Sequence, residues 1–157
     1  KGTEYERLGN AVEAFTVLSV TMPGMPLVYS GQEACLDKRL RFFDKDTVGF
    51  KVYARQEFIK KLNELRKNNQ VLWGTSYKEG FKLIQNTSPN SILSFLRFAG
   101  NNQVFFVFNL SDSEQNFKIT DEIKGDFIPY MGVALSNVQK NVTISLKHWN
   151  FTILKGK

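Results

Sequence analysis

The side chains able to do chemistry are few and widely spaced. Cys35 is the single cysteine and His148 the single histidine of 157 residues. A lone thiol excludes an internal disulfide and a cysteine-based zinc site, and one distant imidazole argues against transition-metal chemistry. That leaves carboxylates. Glu33 lies just past the short apolar run Pro26-Leu27-Val28-Tyr29-Ser30 and the glycine that ends it. Asp44 and Asp46 are two residues apart, so they share a side only in an extended segment. A calcium role is open to them, against the alternative that loop carboxylates lie on the surface or bind backbone amides.

The net charge of +6 raises the question of nucleic acid. Its tightest cluster, Lys60-Lys61 with Arg66-Lys67, falls on the expected wet face of one helix, and the other basic residues are mixed with acidic ones. A solvated surface follows, with no nucleic-acid partner. No apolar run reaches the roughly 18 residues needed to cross a bilayer, so no membrane partner is expected either.

The elements that position these groups change character near residue 70. Residues 8–20 carry Leu8, Ala11, Val12, Phe15 and Leu18 at helical spacing, a pattern that must stop at Pro23-Gly24. The unalternating run 26–30 reads as a strand buried on both faces. A second helix is predicted over 53–67, with Phe58, Leu62 and Leu65 inward and Lys60, Lys61, Glu64 and Lys67 outward. Helix, strand, helix is the rhythm of an α/β barrel. Beyond Leu72-Trp73-Gly74 the pattern is β only, with strands predicted at 81–85, 92–99, 103–110, 115–119, 127–135, 142–146 and 149–154. The clearest hairpin turns at Gly100-Asn101-Asn102; Ser94 and Arg97 break the apolar run of its first arm. Its second arm, Val104-Phe105-Phe106-Val107-Phe108, should lie between two sheets of a sandwich. The expected class is α+β, with residues 1–70 as a barrel remnant and 71–157 as an antiparallel β-sandwich.

The stretch Pro23-Gly24-Met25-Pro26-Leu27-Val28-Tyr29-Ser30-Gly31-Gln32-Glu33 resembles the strand-eight segment of glycoside hydrolase family 13, the α-amylase family. Lys38-Arg39-Leu40, Phe42-Phe43-Asp44-Lys45-Asp46 and the helix ending Leu65-Arg66-Lys67 extend the likeness, which is greatest to bacterial starch-degrading amylases of the Bacteroides group. The resemblance implies the end of a (β/α)8 catalytic barrel (helix, strand eight, helix) followed by domain C, from an enzyme acting on α-1,4-glucans such as starch and maltodextrins. In such enzymes the stretch matching Lys1 to Arg7 follows closely on an Asn-His-Asp motif.

It also implies an Asp nucleophile and a Glu acid/base on strands four and five, in a retaining double displacement. Neither strand is here, so no carboxylate of this chain takes either role, and the chain alone is expected to be inactive. Tyr29 and Glu33 are expected to support the substrate cleft from behind. Because sugars stack on exposed rings, Trp73, Tyr77 and Trp149, with Phe81 and Tyr130, are candidate stacking residues, core packing being the competing role. No metal or other cofactor is expected in this chain, while calcium is open to the parent enzyme. The expected partners are the α-glucan through the parent enzyme, the rest of the barrel and, since strand eight would otherwise have two bare edges, a second copy docked through residues 8–65. The parent is expected to be periplasmic, cell-surface or secreted, its signal outside this chain. The alternative is a non-catalytic β module that binds carbohydrate or stabilises its neighbour.

Overall fold

In the computed structural model, residues 3–49, 55–74, 78–135 and 137–157 are described. Helix α1 (Glu4–Leu8) opens on a reciprocal cap: the Glu6 N–H donates to Thr3 Oγ1 at 3.2 Å and the Thr3 N–H to Glu6 Oε2 at 2.7 Å. A 3-10 turn (Gly9–Ala11) leads into α2 (Val12–Thr21), which gives way to an extended Met22, as the proline that follows it requires. The helix expected over 8–20 is therefore the last residue of α1, a 3-10 turn and α2. The buried residues of α2 are Val12, Ala14, Val17, Val20 and Thr21; Ala11 before it is buried too, as the spacing predicts, while Phe15 lies outside the stripe.

Helix α3 (Gln56–Lys67) buries Ile59, Leu62 and Leu65, and Lys60, Lys61, Glu64 and Lys67 face water as their spacing predicts. The expected helical start at Tyr53 lies outside the described residues. A 3-10 turn (Gln70–Leu72) then buries Val71 and Leu72.

Among the described residues seven strands follow: β1 (Phe81–Leu83), β2 (Ile92–Ala99), β3 (Asn102–Asn109), β4 (Gln115–Lys118), β5 (Phe127–Gly132), β6 (Thr143–Leu146) and β7 (Phe151–Gly156). All pairings are antiparallel, in a five-stranded sheet ordered β1-β2-β3-β7-β5 and a two-stranded sheet β4-β6. The β2–β3 hairpin is paired from Ala99↔Asn102 to Ile92↔Asn109, so its turn is the two residues Gly100-Asn101.

The strands alternate as period two demands. Phe95, Val104, Phe106, Phe108, Phe151 and Ile153 face Ala14, Val17, Val20, Leu62 and Leu65 in one core. Phe105, Val107 and Leu154 face Phe117, Ile144 and Leu146 of the small sheet in a second. β3 is buried on both sides, but it lies between helices and a sheet rather than between two sheets. The broad apolar face of β2, β3 and β7 is larger than β4–β6 could cover on both sides, and the helices supply the other cover.

The strand expected over 26–30 does not form. Residues 25–29 run without a ladder partner, and Met25, Leu27 and Tyr29 are exposed, Leu27 by 81%. A strand is a paired object, and no described strand pairs with this run.

Candidate functional site

The segment after α2 folds back over α1 and the start of α3 and forms a cleft of about 390 Å³. Glu4, Tyr29, Gln32, Lys38, Arg39 and Phe42 are among its walls. The wall at Gln32 is built by a relay. Glu4 Oε1 accepts from Arg55 Nη1 at 3.0 Å, Glu4 Oε2 accepts from Gln32 Nε2 at 2.9 Å, and Gln32 Oε1 accepts from the Tyr29 N–H at 2.9 Å. Gly31 sits in the turn at φ +96°, and a Cβ there would lie 2.8 Å from Leu36 Cβ, so only glycine allows the chain this approach.

Arg55 is the buried anchor of this region. Its Nη1 also donates to Tyr5 Oη at 3.1 Å, its Nη2 to Thr16 Oγ1 at 2.6 Å, and its guanidinium lies 5.4 Å from the Phe58 ring centre. Burial, aided by the Cys35 contact, pushes the Tyr5 phenol up to about 12, so it stays neutral.

Tyr29 and Glu33 come together in a second, more open groove of about 520 Å³, with Gln56, Lys60 and Asn63. Tyr29 is 57% exposed and borders both spaces. Glu33 Oε2 accepts from the Gly31 N–H at 3.2 Å, and the Glu33 carbonyl accepts from the Arg55 N–H at 3.2 Å. Glu33 thus holds its own turn in place. Asp46 does the same for the following loop. It pairs with Lys38 and accepts from the N–H groups of Arg41 (3.0 Å) and Thr47 (2.8 Å). The Lys38 hydrogen bond, with those two amides, holds its carboxyl down at about 2. No group of three or more metal-ligating side chains is found among the described residues.

The aromatic candidates are dispersed. Trp73 is 55% exposed and donates its indole N–H to the Arg66 carbonyl at 2.7 Å, at the end of α3. Trp149, at φ +55°, lies in the turn before β7 rather than in the strand, and its ring is 6.5 Å from that of Phe15 on α2. Phe81 packs on Phe95 at 5.2 Å, and the Tyr130 hydroxyl donates to the Lys61 carbonyl at 3.2 Å. Tyr77 lies outside the described residues. Reading the sequence missed Glu4, Gln32, Arg55 and Phe42 as builders of the cleft. Phe42-Phe43, 90% and 94% exposed beside Lys38-Arg39, was a signal available from the loop's composition. Together these groups offer hydrogen bonds and ring faces, with the nearby carboxylates engaged in holding backbone and side chains.

No family model matches the chain, and no curated protein matches it. Solved structures do. A maltogenic α-amylase from Thermotoga neapolitana matches with a TM-score of 0.63 at 22% identity, over 94% of this chain and 34% of that one. The debranching enzyme of Nostoc punctiforme, soaked with acarbose, matches at 0.66 and 18%, over 95% and 29%. An Anoxybacillus α-amylase matches at 0.62 and 20%, over 92% and 32%. The chain spans about a third of the length of these structures and shares its fold with that third.

Proposed function

We propose that this chain is the C-terminal portion of a bacterial, Bacteroides-like glycoside hydrolase of family 13 that cleaves α-1,4-glucans: residues 1–70 the end of the catalytic barrel, residues 71–157 domain C. One coincidence carries the reading. The chain that bears the strand-eight motif Pro23 to Glu33 is also the chain whose fold, over more than nine-tenths of its length, recurs in two α-amylases and a debranching enzyme. In this reading the run 25–30 is exposed because its neighbouring barrel strands belong to the rest of the enzyme. Tyr29 and Glu33 brace the cleft behind the substrate, and the nucleophile and acid/base come from upstream. Calcium, where the parent uses it, is held by other residues than Asp46, whose carboxylate is already occupied. The parent is exported to the periplasm or cell surface, where polymeric glucan is met.

The stabilising-module reading draws on one observation, that helices and sheet share a core through Phe95, Phe106 and Phe151. It describes the β part's contribution within the same enzyme. The deciding experiment compares this chain with the full reading frame it belongs to, both incubated with soluble starch while reducing ends are counted. The chain alone is expected to be silent and the longer protein active with retention of anomeric configuration. Sustained turnover by the chain alone, or silence of the longer protein on starch, pullulan and maltodextrins alike, overturns the proposal.

A further inference from the structure

A polar groove of about 430 Å³ lies between the turn that follows α3 and the ends of β3 and β7, and it shares no lining residue with the cleft around Tyr29. Asn68, Gln70, Asn102, Gln103 and Lys155 line it. Asn69 turns its amide back to the Leu65 carbonyl, but the side chains of Asn68, Gln70, Asn102 and Gln103 make no hydrogen bond to other described residues. Gln103 Oε1 is buried and accepts from no donor among the described residues. A buried carbonyl without a donor is an unfavourable arrangement that native chains keep rare. The groove's wall is also fixed: the Lys155 ammonium lies 5.5 Å from the Tyr130 ring centre, and Tyr130 is tied through its hydroxyl to α3.

We propose that this groove binds a neutral, hydroxyl-rich ligand, namely a short α-glucan chain. An amide presents a donor and an acceptor side by side, and a sugar hydroxyl is likewise both. The terminal torsion of glutamine is soft, so a small rotation of Gln103 turns the buried oxygen towards a ligand hydroxyl. A cation does not suit the site, because Lys155 repels it and no carboxylate lines the wall. An anion would occupy Lys155 and leave the amide carbonyls unmatched. Recognition of hydroxyls stands on the groove itself; the choice of an α-glucan rests on the function proposed above.

Calorimetric titration of the chain tests both parts. Maltoheptaose is expected to bind with a Kd of about 1 mM, with no comparable heat from cellohexaose or inorganic phosphate. Gln103→Leu is expected to weaken binding about tenfold, because its removal deletes the buried acceptor. The double variant Asn68→Ala, Gln70→Ala alters exposed side chains only; it is expected to weaken binding similarly at an unchanged melting midpoint, and so serves if Gln103→Leu folds poorly. Absence of binding at about 20 mM maltoheptaose, or unaltered affinity in the double variant, overturns the site. Equal binding of cellohexaose overturns the α-glucan choice, and preferential binding of phosphate overturns hydroxyl recognition. Failure of the groove leaves the reducing-end assay of the longer protein untouched, so the two readings fail separately.

Discussion

Arg97 has no solvent exposure, and among the fully buried side chains it is the largest. Its Nε donates to the Gly80 carbonyl at 3.2 Å, its Nη1 to Thr21 at 2.9 Å and its Nη2 to Gly74 at 2.9 Å. Thr21 is the last residue of α2, where carbonyls are unsatisfied and a cation is favoured by the helix dipole. Arg66 serves the same helix end, donating to Val20 at 3.0 Å and Gly24 at 2.6 Å, and burial lowers its affinity for the proton. In the sequence Arg97 reads only as an interruption of an apolar run. Its role depends on three carbonyls from distant segments, which no local pattern contains. Arg97→Met keeps much of the length and loses every donor, and is expected to destabilise the fold by about 3 kcal/mol. Urea unfolding should show a lower midpoint at an unchanged slope. Arg97→Lys should recover only part of the loss, because one ammonium cannot serve three directions. An unshifted midpoint for Arg97→Met would show the guanidinium to be dispensable.

Helices and hairpins were legible where the period of the apolar residues is set by the segment itself. The α3 stripe and the β2–β3 hairpin are of this kind, since Leu62, Leu65 and the Phe105/Phe106 alternation each follow a local period. The run 26–30 was not, because its β character depends on partners that the described chain does not supply. Trp149 was misplaced for a different reason: its φ of +55° makes it a turn residue, which its β-favouring type conceals. The edge strand β5 shows how one residue governs pairing. Its register with β7 shifts between Pro129 and Met131, and Gly132 then lies at φ +84°, where a Cβ would fall 2.2 Å from the Phe151 carbonyl oxygen. Gly132→Ala must therefore move one strand or the other. A loss of about 2–3 kcal/mol is expected, concentrated in β5. Amide hydrogen exchange should quicken along β5 while β2 and β3 keep their protection. Uniform loss of protection across the sheet would show that β5 does not yield separately.

The whole chain is built around a sheet covered by helices on one face and by β4–β6 on the other, so the helical part and the β part rely on the same aromatic side chains. What remains uncovered is concentrated elsewhere. Met25, Leu27, Phe42 and Phe43 are each more than 80% exposed, on the segment that carries the strand-eight motif. Apolar side chains gathered on a stretch with unpaired backbone form a surface that associates. In the parent enzyme the rest of the barrel is the proposed cover. For the isolated chain the proposed cover is a second copy docked through residues 8–65, which would hide the same groups twice, since a two-fold contact closes without leaving a new edge. Light scattering at micromolar concentration is expected to return twice the monomer mass. Leu27→Asp with Phe43→Asp should return the monomer while leaving the melting midpoint little changed, because both side chains are exposed and contribute little to the folded core. A wild-type chain that stays monomeric under those conditions would sink the dimer and leave solvent as the cover of this face.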